Sequence, residues 1–570
     1  MLQGVRGILK NFFAGINSAN LLFIKIFTIF ARLIPYLDIF QTITMRKMFL
    51  GLAAALVALC GQAREIVLLE GPFEADWSDK HCVDPMQMVG VAAGDIIHVY
   101  TSDVKNYAVA YIRTKSNGWA AISSDYDNIR ITGDFECRLD ETLIDVIDNE
   151  TLMFGGSGYT IEKVTLITDR PEDTRVGYDD LSNPDATEAT RQIYDLLRNC
   201  YGNRSISCSM AEVNWNHKEA EYVKAWTGKY PAMNGYDYIH LTYDWEPYGD
   251  ISPVKEWWDM GGLVTICWHW RAPDSEAVWE AYKRDNNDNT VFEGFYAPGG
   301  GSPSTTFSPA NAVVDGTWEN EFVWSDIEKV GQRLKLLQDE GIVVIWRPFH
   351  EAAGNSTIYS DGKAWFWWGA DGAAPCVTLW KMMYDYFREI GLNNLIWVWT
   401  SQTKDGAWYP GDDYVDMIGR DLYNYKTSDA SYNFDYLTAY YPHKMIALSE
   451  CGYSGGTSPY ISEQWEVGAK WSFAMPWYHY GYKLGGNHQY ANKDWWQDWF
   501  GLDHAITMEE MKALKEEYLS RSSVDALPGA DSAPGYDYPA VWHNLQGIRI
   551  AQPTQPGIYV KDGRKVVIRP

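Results

Sequence analysis

The chain has no C-x-x-C pair: its eight cysteines stand singly at 60, 82, 137, 200, 208, 267, 376 and 451. That spacing excludes zinc-ribbon and thioredoxin chemistry. Basic charge is scarce, with 48 Lys and Arg against 75 Asp and Glu and a formal net charge of −27. Such a surface repels polyphosphates and offers no patch for nucleic acid. Gly299-Gly300-Gly301 is followed by no Lys-Ser/Thr, so it lacks the cation and hydroxyl of a phosphate loop. His350-Glu351-Ala352-Ala353-Gly354 lacks the second histidine of a His-Glu-x-x-His zinc helix, which argues against a metalloprotease.

Aromatic residues are abundant: 27 Trp and 38 Tyr among 570 residues. Flat rings with polar edges suit stacking on sugar faces; for any single Trp core packing is the better explanation, and the signal is the excess. The length accommodates a barrel of about 250 to 350 residues with accessory units.

Residues 45–63 combine a basic start, a short apolar segment and the small residues Gly61 and Ala63 ahead of Arg64. This is the pattern of a secretory signal peptide, too short to span a membrane comfortably. The 44 residues before it, apolar from 21 to 30, lead us to expect translation from Met45 or Met48. The protein is therefore expected to be exported: secreted, periplasmic or at the cell surface. Cys60 follows Leu59 rather than a small residue, which disfavours a lipid anchor but leaves outer-membrane or cell-surface association open. Without Cys60 seven cysteines remain, so a complete disulfide framework is excluded, although Cys82 with Cys137, or Cys200 with Cys208, could pair.

From 64 to 170 short β-rich runs (Ile66–Leu69, Asp95–Tyr100, Tyr107–Ile112, Leu143–Ile147 and Tyr159–Ile167) predict an N-terminal β-sandwich. Trp77, Tyr107, Tyr111 and Trp119 could form a carbohydrate-binding face, or the domain could be a spacer with aromatic core residues. Residues 171–184 are polar and turn-rich and read as a linker.

Between 185 and 521 eight apolar runs alternate with helical spacing: Ser205–Met210, Tyr236–Tyr243, Leu263–Trp270, Ile342–Trp346, Leu395–Trp399, Met417–Leu422, Met445–Leu448 and Phe473–Trp477. The fold class is α/β, a (β/α)8 TIM barrel. A long insertion, Arg271–Trp318, carries Phe292, Phe295, Tyr296 and Phe307 and is expected to wall the cleft. Residues 522–540 read as a second linker and 541–570 as a short C-terminal β tail, with a hairpin turn at Asp562-Gly563.

Ile342–Trp346 is apolar without alternation, as a strand buried on both faces must be, and the chain reaches His350 and Glu351 just beyond it. Met445–Leu448 similarly runs into Glu450-Cys451-Gly452. Two carboxyls at strand ends on one barrel rim suit glycoside hydrolysis with retention, which needs them about 5 to 5.5 Å apart. His350 and the Trp365-Phe366-Trp367-Trp368 segment offer an apolar, hydrogen-bonded setting that would keep Glu351 protonated as acid/base, leaving Glu450 as nucleophile. No metal or organic cofactor is required by that chemistry.

Trp346-Arg-Pro-Phe-His-Glu351, Trp365-Phe-Trp-Trp-Gly369, Tyr409 through Tyr423, Leu448-Ser-Glu-Cys-Gly452 and Thr265 through Pro273 together resemble glycoside hydrolase family 26, over about 185–521. The resemblance implies a retaining endo-acting hydrolase, most often a β-1,4-mannanase acting on mannan, galactomannan or glucomannan. It assigns Glu351 as acid/base and Glu450 as nucleophile, with Tyr423 hydrogen-bonding the nucleophile and His269, Trp365 and Trp477 lining the sugar site; His350, Asp421 and Phe307 are further candidates for substrate binding. Residues 356–364 lengthen the family's spacing between Glu351 and Trp365. A hydrolase of mixed-linkage β-glucan or xylan, and a glycan-binding protein without hydrolysis, are the alternatives. The tail after 541 resembles C-terminal tails of exported Bacteroidales proteins.

Overall fold

The computed structural model describes residues 64–521, apart from 78–80, 116–117, 149, 171–176, 214, 243–246, 285–293, 356–362, 454–456 and 480–489, together with the strands of the C-terminal tail. The proposed signal peptide, the 522–540 linker, Phe292 and the Asp562-Gly563 turn lie outside the described residues. The chain divides into two compact units, one of residues 1–65 with 167–172 and one of 66–166 with 173–570. Of the first only 64, 65 and 167–170 are described, and the second holds nearly all of the sandwich, the barrel and the tail.

The N-terminal region forms two four-stranded sheets. Its strands are β1 (Arg64–Glu74), β2 (Cys82–Val83), β3 (Ile96–Ser102), β4 (Val109–Thr114), β5 (Ile129–Arg130), β6 (Phe135–Arg138), β7 (Leu152–Ser157) and β8 (Thr160–Thr168). One sheet runs β1-β8-β3-β6 and the other β2-β7-β4-β5. Leu68, Ile97, Val99, Ala110, Ile112, Phe154 and Ile161 fill a common core, as alternation along half-buried strands requires. Leu143–Ile147, expected as a strand, is instead the helix Glu141–Ile147. Asp140 caps it by accepting from the Leu143 N–H at 2.8 Å, and Leu143 and Ile147 bury one helical face four residues apart.

The barrel strands are β9 (Ser205–Met210), β10 (Met233–Asp237), β11 (Leu263–Cys267), β12 (Val344–Arg347), β13 (Leu395–Ser401), β14 (Met417–Tyr423), β15 (Met445–Gly452) and β16 (Phe473–Pro476). Each pairs in parallel with the next, and β16 returns to β9 through Phe473 opposite Ile206, closing the barrel. A short β17 (Ala505–Ile506) also pairs with β9. Helices between strands carry their own start signals: Thr187, Thr317 and Asn492 cap the helices Glu188–Cys200, Trp318–Asp339 and Lys493–Phe500. Each such cap contributes about 1 kcal/mol.

The second barrel strand lies earlier than the expected Tyr236–Tyr243. It begins at Met233 and includes Asn234, whose side chain accepts from Ser209 Oγ at 2.7 Å. At Gly235 a Cβ would stand 2.6 Å from Met475 Sδ and 2.9 Å from Met210 Sδ, so glycine leaves room for methionines to fill the barrel axis. A polar residue and a glycine hide this strand from an apolar-run search.

Two further expectations change. Residues 177–184 are fixed to the barrel: Asp179 pairs with Lys444 at 2.9 Å, Gly177 O with His443 Nδ1 at 2.7 Å, and Asp416 accepts from the Ser182 N–H at 2.6 Å. The seven described cysteines are all free. Neither suggested pair is formed: Cys82 and Cys137 stand on opposite sheets of the sandwich, and Cys200 ends a helix while Cys208 sits within β9.

Lys404, after β13, reaches Glu150, ahead of β7, at 2.6 Å. In the tail, strands β18 (Trp542–His543), β19 (Arg549–Ile550), β20 (Gly557–Lys561) and β21 (Arg564–Ile568) form an antiparallel sheet, with Lys561 opposite Arg564. No helix among the described residues is long and apolar enough to cross a membrane.

Candidate active site

At the carboxyl end of β12 the chain leaves the sheet in an unusual backbone. Phe349 and Glu351 both adopt left-handed conformations, with φ of 48° and 52°. A non-glycine residue there costs about 1–3 kcal/mol and persists only where its surroundings hold it. Trp368 Nε1 donates to His350 O at 3.0 Å. Gly369 lies so close beneath that a Cβ would meet Ala352 O at 1.9 Å. The Trp-Trp-Gly turn thus clamps the segment that carries Glu351.

Trp365 reaches the same carboxylate, its Nε1 donating to Glu351 Oε2 at 2.7 Å. The longer spacing does not displace it, because the insertion is pinched at its base. Asn355 N donates to Lys363 O at 3.2 Å, and Lys363 N to Asn355 Oδ1 at 2.6 Å. The three glycines at 299–301 belong to this support. Ala297 N donates to Trp365 O, and a Cβ on Gly300 would lie 2.3 Å from that same oxygen.

Glu450 sits on β15 where the register with β14 shifts, so that Arg420 faces Leu448 but Asp421 faces Glu450. The extra residue, Ser449, is a bulge of the kind that re-aims side chains at barrel rims. Its hydroxyl donates to Asp421 Oδ1 at 2.6 Å. Arg347, the last residue of β12, is buried and donates to Asp421 Oδ2 at 2.9 Å and to Glu450 Oε1. Tyr423 completes the set, its hydroxyl donating to Glu450 Oε2 at 2.7 Å. Gly452 makes room for that ring, since a Cβ there would stand 2.6 Å from it.

Carboxylate oxygens of Glu351, Asp421 and Glu450 all lie within 4.8 Å of one another. Their environments nevertheless differ. Burial and the charges of Asp421 and Glu450 push Glu351 well above the ordinary carboxyl range. Burial and Asp421 also raise Glu450, but the Arg347 charge, His269 and the Tyr423 hydroxyl pull it back, leaving it at about 6. Of the two, Glu351 holds its proton more tightly and Glu450 is the more readily ionised.

Beside them, Asp237 at the end of β10 accepts from His269 N at 3.0 Å and pairs with His269 Nδ1 at 2.6 Å. This fixes the His269 ring and leaves its Nε2 3.1 Å from His350 Nε2. Burial and the neighbouring His269 and Arg347 hold His350 neutral, well below the ordinary imidazole value. Phe366 packs on His269, His350 and Trp368 with ring centres 5.6, 5.1 and 4.4 Å away. Trp477 stands edge-on to His269 at 5.5 Å.

The residues singled out from sequence therefore divide. Glu351, Glu450, His269, Trp365, Tyr423 and Trp477 come together around one cleft, and Tyr423 is the most open of them at 39% exposed. His350 and Asp421 are buried beside them, engaged with His269 and with Arg347 and Ser449. Phe307 does not reach the cleft: it is 2% exposed and packs against Trp367, Phe322 and Trp318. From the sequence alone no role is assigned to Arg347, Asp237 or Ser449, whereas Phe366 lies in the aromatic segment expected beside Glu351. Arg347 had a signal, a cation at the end of an otherwise apolar strand.

Among the described residues two clusters have the composition of a metal site, Asp237 with Cys267 and His269, and Glu351 with Asp421 and Glu450. The chemistry of each is a poor fit. Burial raises the Cys267 thiol well above its ordinary value, so it stays protonated, and Arg347 already supplies positive charge to the carboxylates.

The model of glycosyl hydrolase family 26 matches residues 182–504. The chain belongs to this family and is a glycoside hydrolase. A mannan endo-1,4-β-mannosidase of Thermothelomyces thermophilus is 29% identical over 66% of this chain and 74% of its own length. Mannan endo-1,4-β-mannosidase B of Piromyces is 33% identical over 52% of this chain, which spans about half (48%) of that enzyme. Among solved structures, the family 26 domain of an endo-β-mannanase/endo-β-glucanase from Prevotella bryantii is 40% identical. It aligns with a TM-score of 0.53 over 58% of this chain and 98% of its own. A ruminal family 26 endo-β-1,4-mannanase is 25% identical with a TM-score of 0.51, over 79% of this chain and 98% of its own.

Proposed function

We propose that the chain is a retaining endo-β-1,4-mannanase that uses Glu351 as acid/base and Glu450 as nucleophile. The observation that carries the mechanism is the pair of carboxylates within 4.8 Å whose surroundings set their protonation apart. Carboxylate oxygens within 4.8 Å of one another are closer than the roughly 6.5–9.5 Å between the carboxyls of an inverting pair, which supports retention. The names of the relatives support mannan as substrate.

In the first step Glu351 gives its proton to the glycosidic oxygen while Glu450 bonds to the anomeric carbon, and the leaving sugar departs with that oxygen. Forming the ester removes the Glu450 charge. Because that charge is one of the causes holding Glu351 up, Glu351 becomes more acidic once it has donated and is then a carboxylate able to deprotonate water. Water attacks the same carbon and releases Glu450. Throughout, Asp421 keeps Arg347 paired, so the loss of the Glu450 charge does not strand a buried guanidinium.

Incubation with galactomannan, glucomannan, mixed-linkage β-glucan and xylan is expected to give short manno-oligosaccharides from the first two. Products confined to β-glucan or xylan would overturn the specificity, and no product from any would overturn the activity.

We also propose that the protein is exported on residues 45–63 and begins, when mature, at Arg64. The basic, apolar and small-residue order of that segment supports this. Amino-terminal sequencing of exported protein should read from Arg64; a start upstream of Met45 would contradict it.

A further inference from the structure

Among the described residues the exposed large aromatics are Trp77, Tyr107, Tyr423 and Tyr432. Tyr423 belongs to the cleft, whereas Trp77 and Tyr107, 54% and 60% exposed, belong to the sandwich. Ala108, Ala110, Ile112 and Thr114 alternate into the sandwich core, which sends Tyr111 and Arg113 to the opposite face of β4, where Tyr111 is itself fully covered.

That face is built around glycines. A Cβ on Gly155 would stand 2.3 Å from the Tyr111 hydroxyl oxygen, and one on Gly158 would stand 2.8 Å from the Tyr107 ring. Each ring therefore rests directly over bare backbone. Trp77 stacks on Tyr111 with centres 5.2 Å apart and planes 30° apart. The Arg113 guanidinium lies 4.3 Å from the Tyr111 ring centre and 5.8 Å from that of Trp77. It is held there by Asp127 at 3.0 Å. Trp119 is half-buried, with φ of 64°.

We propose that this outer face of the β2-β7-β4-β5 sheet binds a chain of a neutral β-linked polysaccharide, the class of polymer cleaved in the cleft; the proposal rests on that reading of the cleft. Trp77, backed by the fully buried Tyr111 ring, and Tyr107, resting on the Gly158 backbone, are held in place yet open to solvent, and so provide flat apolar ground at little conformational cost. The Arg113–Asp127 pair beside them offers donors and acceptors to neighbouring hydroxyls. The chain's acidity disfavours anionic polymers and anionic lipid surfaces. The match to the ruminal mannanase extends well beyond the 58% of the chain covered by the Prevotella domain alone, so residues outside the barrel have counterparts in another mannanase.

The test compares the full chain with its W77Q/Y107Q variant, whose altered side chains are more than half exposed. Hydrolysis is read on soluble mannohexaose, and adsorption on insoluble mannan and on cellulose, the latter with Glu450→Gln in both chains to stop hydrolysis. Unchanged kcat/KM on mannohexaose with about tenfold weaker adsorption on either solid is expected. The ring-preserving W77F/Y107F variant should adsorb like the parent. Adsorption within twofold of the parent on both solids overturns the proposal, as does failure of W77F/Y107F to restore it. A parent that hydrolyses no mannan defeats the cleft reading, while the adsorption difference still decides the platform.

Discussion

Replacing Glu450 with Gln is expected to lower kcat on galactomannan on the order of 10⁵-fold, because the covalent step loses its nucleophile. The substitution is nearly isosteric, and the amide oxygen can still accept from Tyr423. Arg347 loses one of its two anionic partners but keeps Asp421 at 2.9 Å, so the fold should survive with a modest loss of stability. Thermal unfolding alongside steady-state kinetics separates the two effects. A variant that folds and hydrolyses within tenfold of the parent would refute the role of Glu450.

Replacing Glu351 with Gln should cost about 10²–10⁴-fold in kcat on polysaccharide, the usual contribution of a general acid. The loss should be much smaller for the glycosylation step of an aryl mannoside whose leaving group departs without a proton. Added azide should then accelerate turnover by replacing water, giving a β-glycosyl azide. The pH profile of kcat/KM supplies a second reading. Glu450 must be ionised, so activity falls as pH drops through its value of about 6. Glu351 must be protonated, and since its environment raises it above the ordinary range, activity falls again only on the alkaline side. In Glu351→Gln the acid limb should remain and the alkaline limb disappear. An alkaline limb that persists unchanged would assign it to another group.

The parts of this architecture that were legible in sequence are those with a local signature. Runs such as Ile342–Trp346 lack alternation because both faces of a barrel strand are buried, and the charged residues beyond them mark the rim. Residues whose role depends on distant partners carried no such mark. Arg347 is intelligible only once Asp421 and Glu450, 74 and 103 positions away, close around it. The register shift that turns Glu450 toward Tyr423 arises between two strands and leaves no trace in either alone. Phe307 shows the opposite error: an aromatic residue in a cleft-forming insertion resembles a sugar contact, yet this one was recruited to the packing of Trp367 and Trp318. Leu143–Ile147 is short enough for its apolar content to suit a strand, and only the Asp140 cap decides for a helix.

Double displacement by Glu351 and Glu450 is tested most directly by the configuration of the newly formed reducing end. Proton NMR of a manno-oligosaccharide digest, followed from the first minute, is expected to show the β-anomer first, with the α-anomer growing in later by mutarotation. An initial product in the α configuration would mean a single displacement by water and would contradict the account.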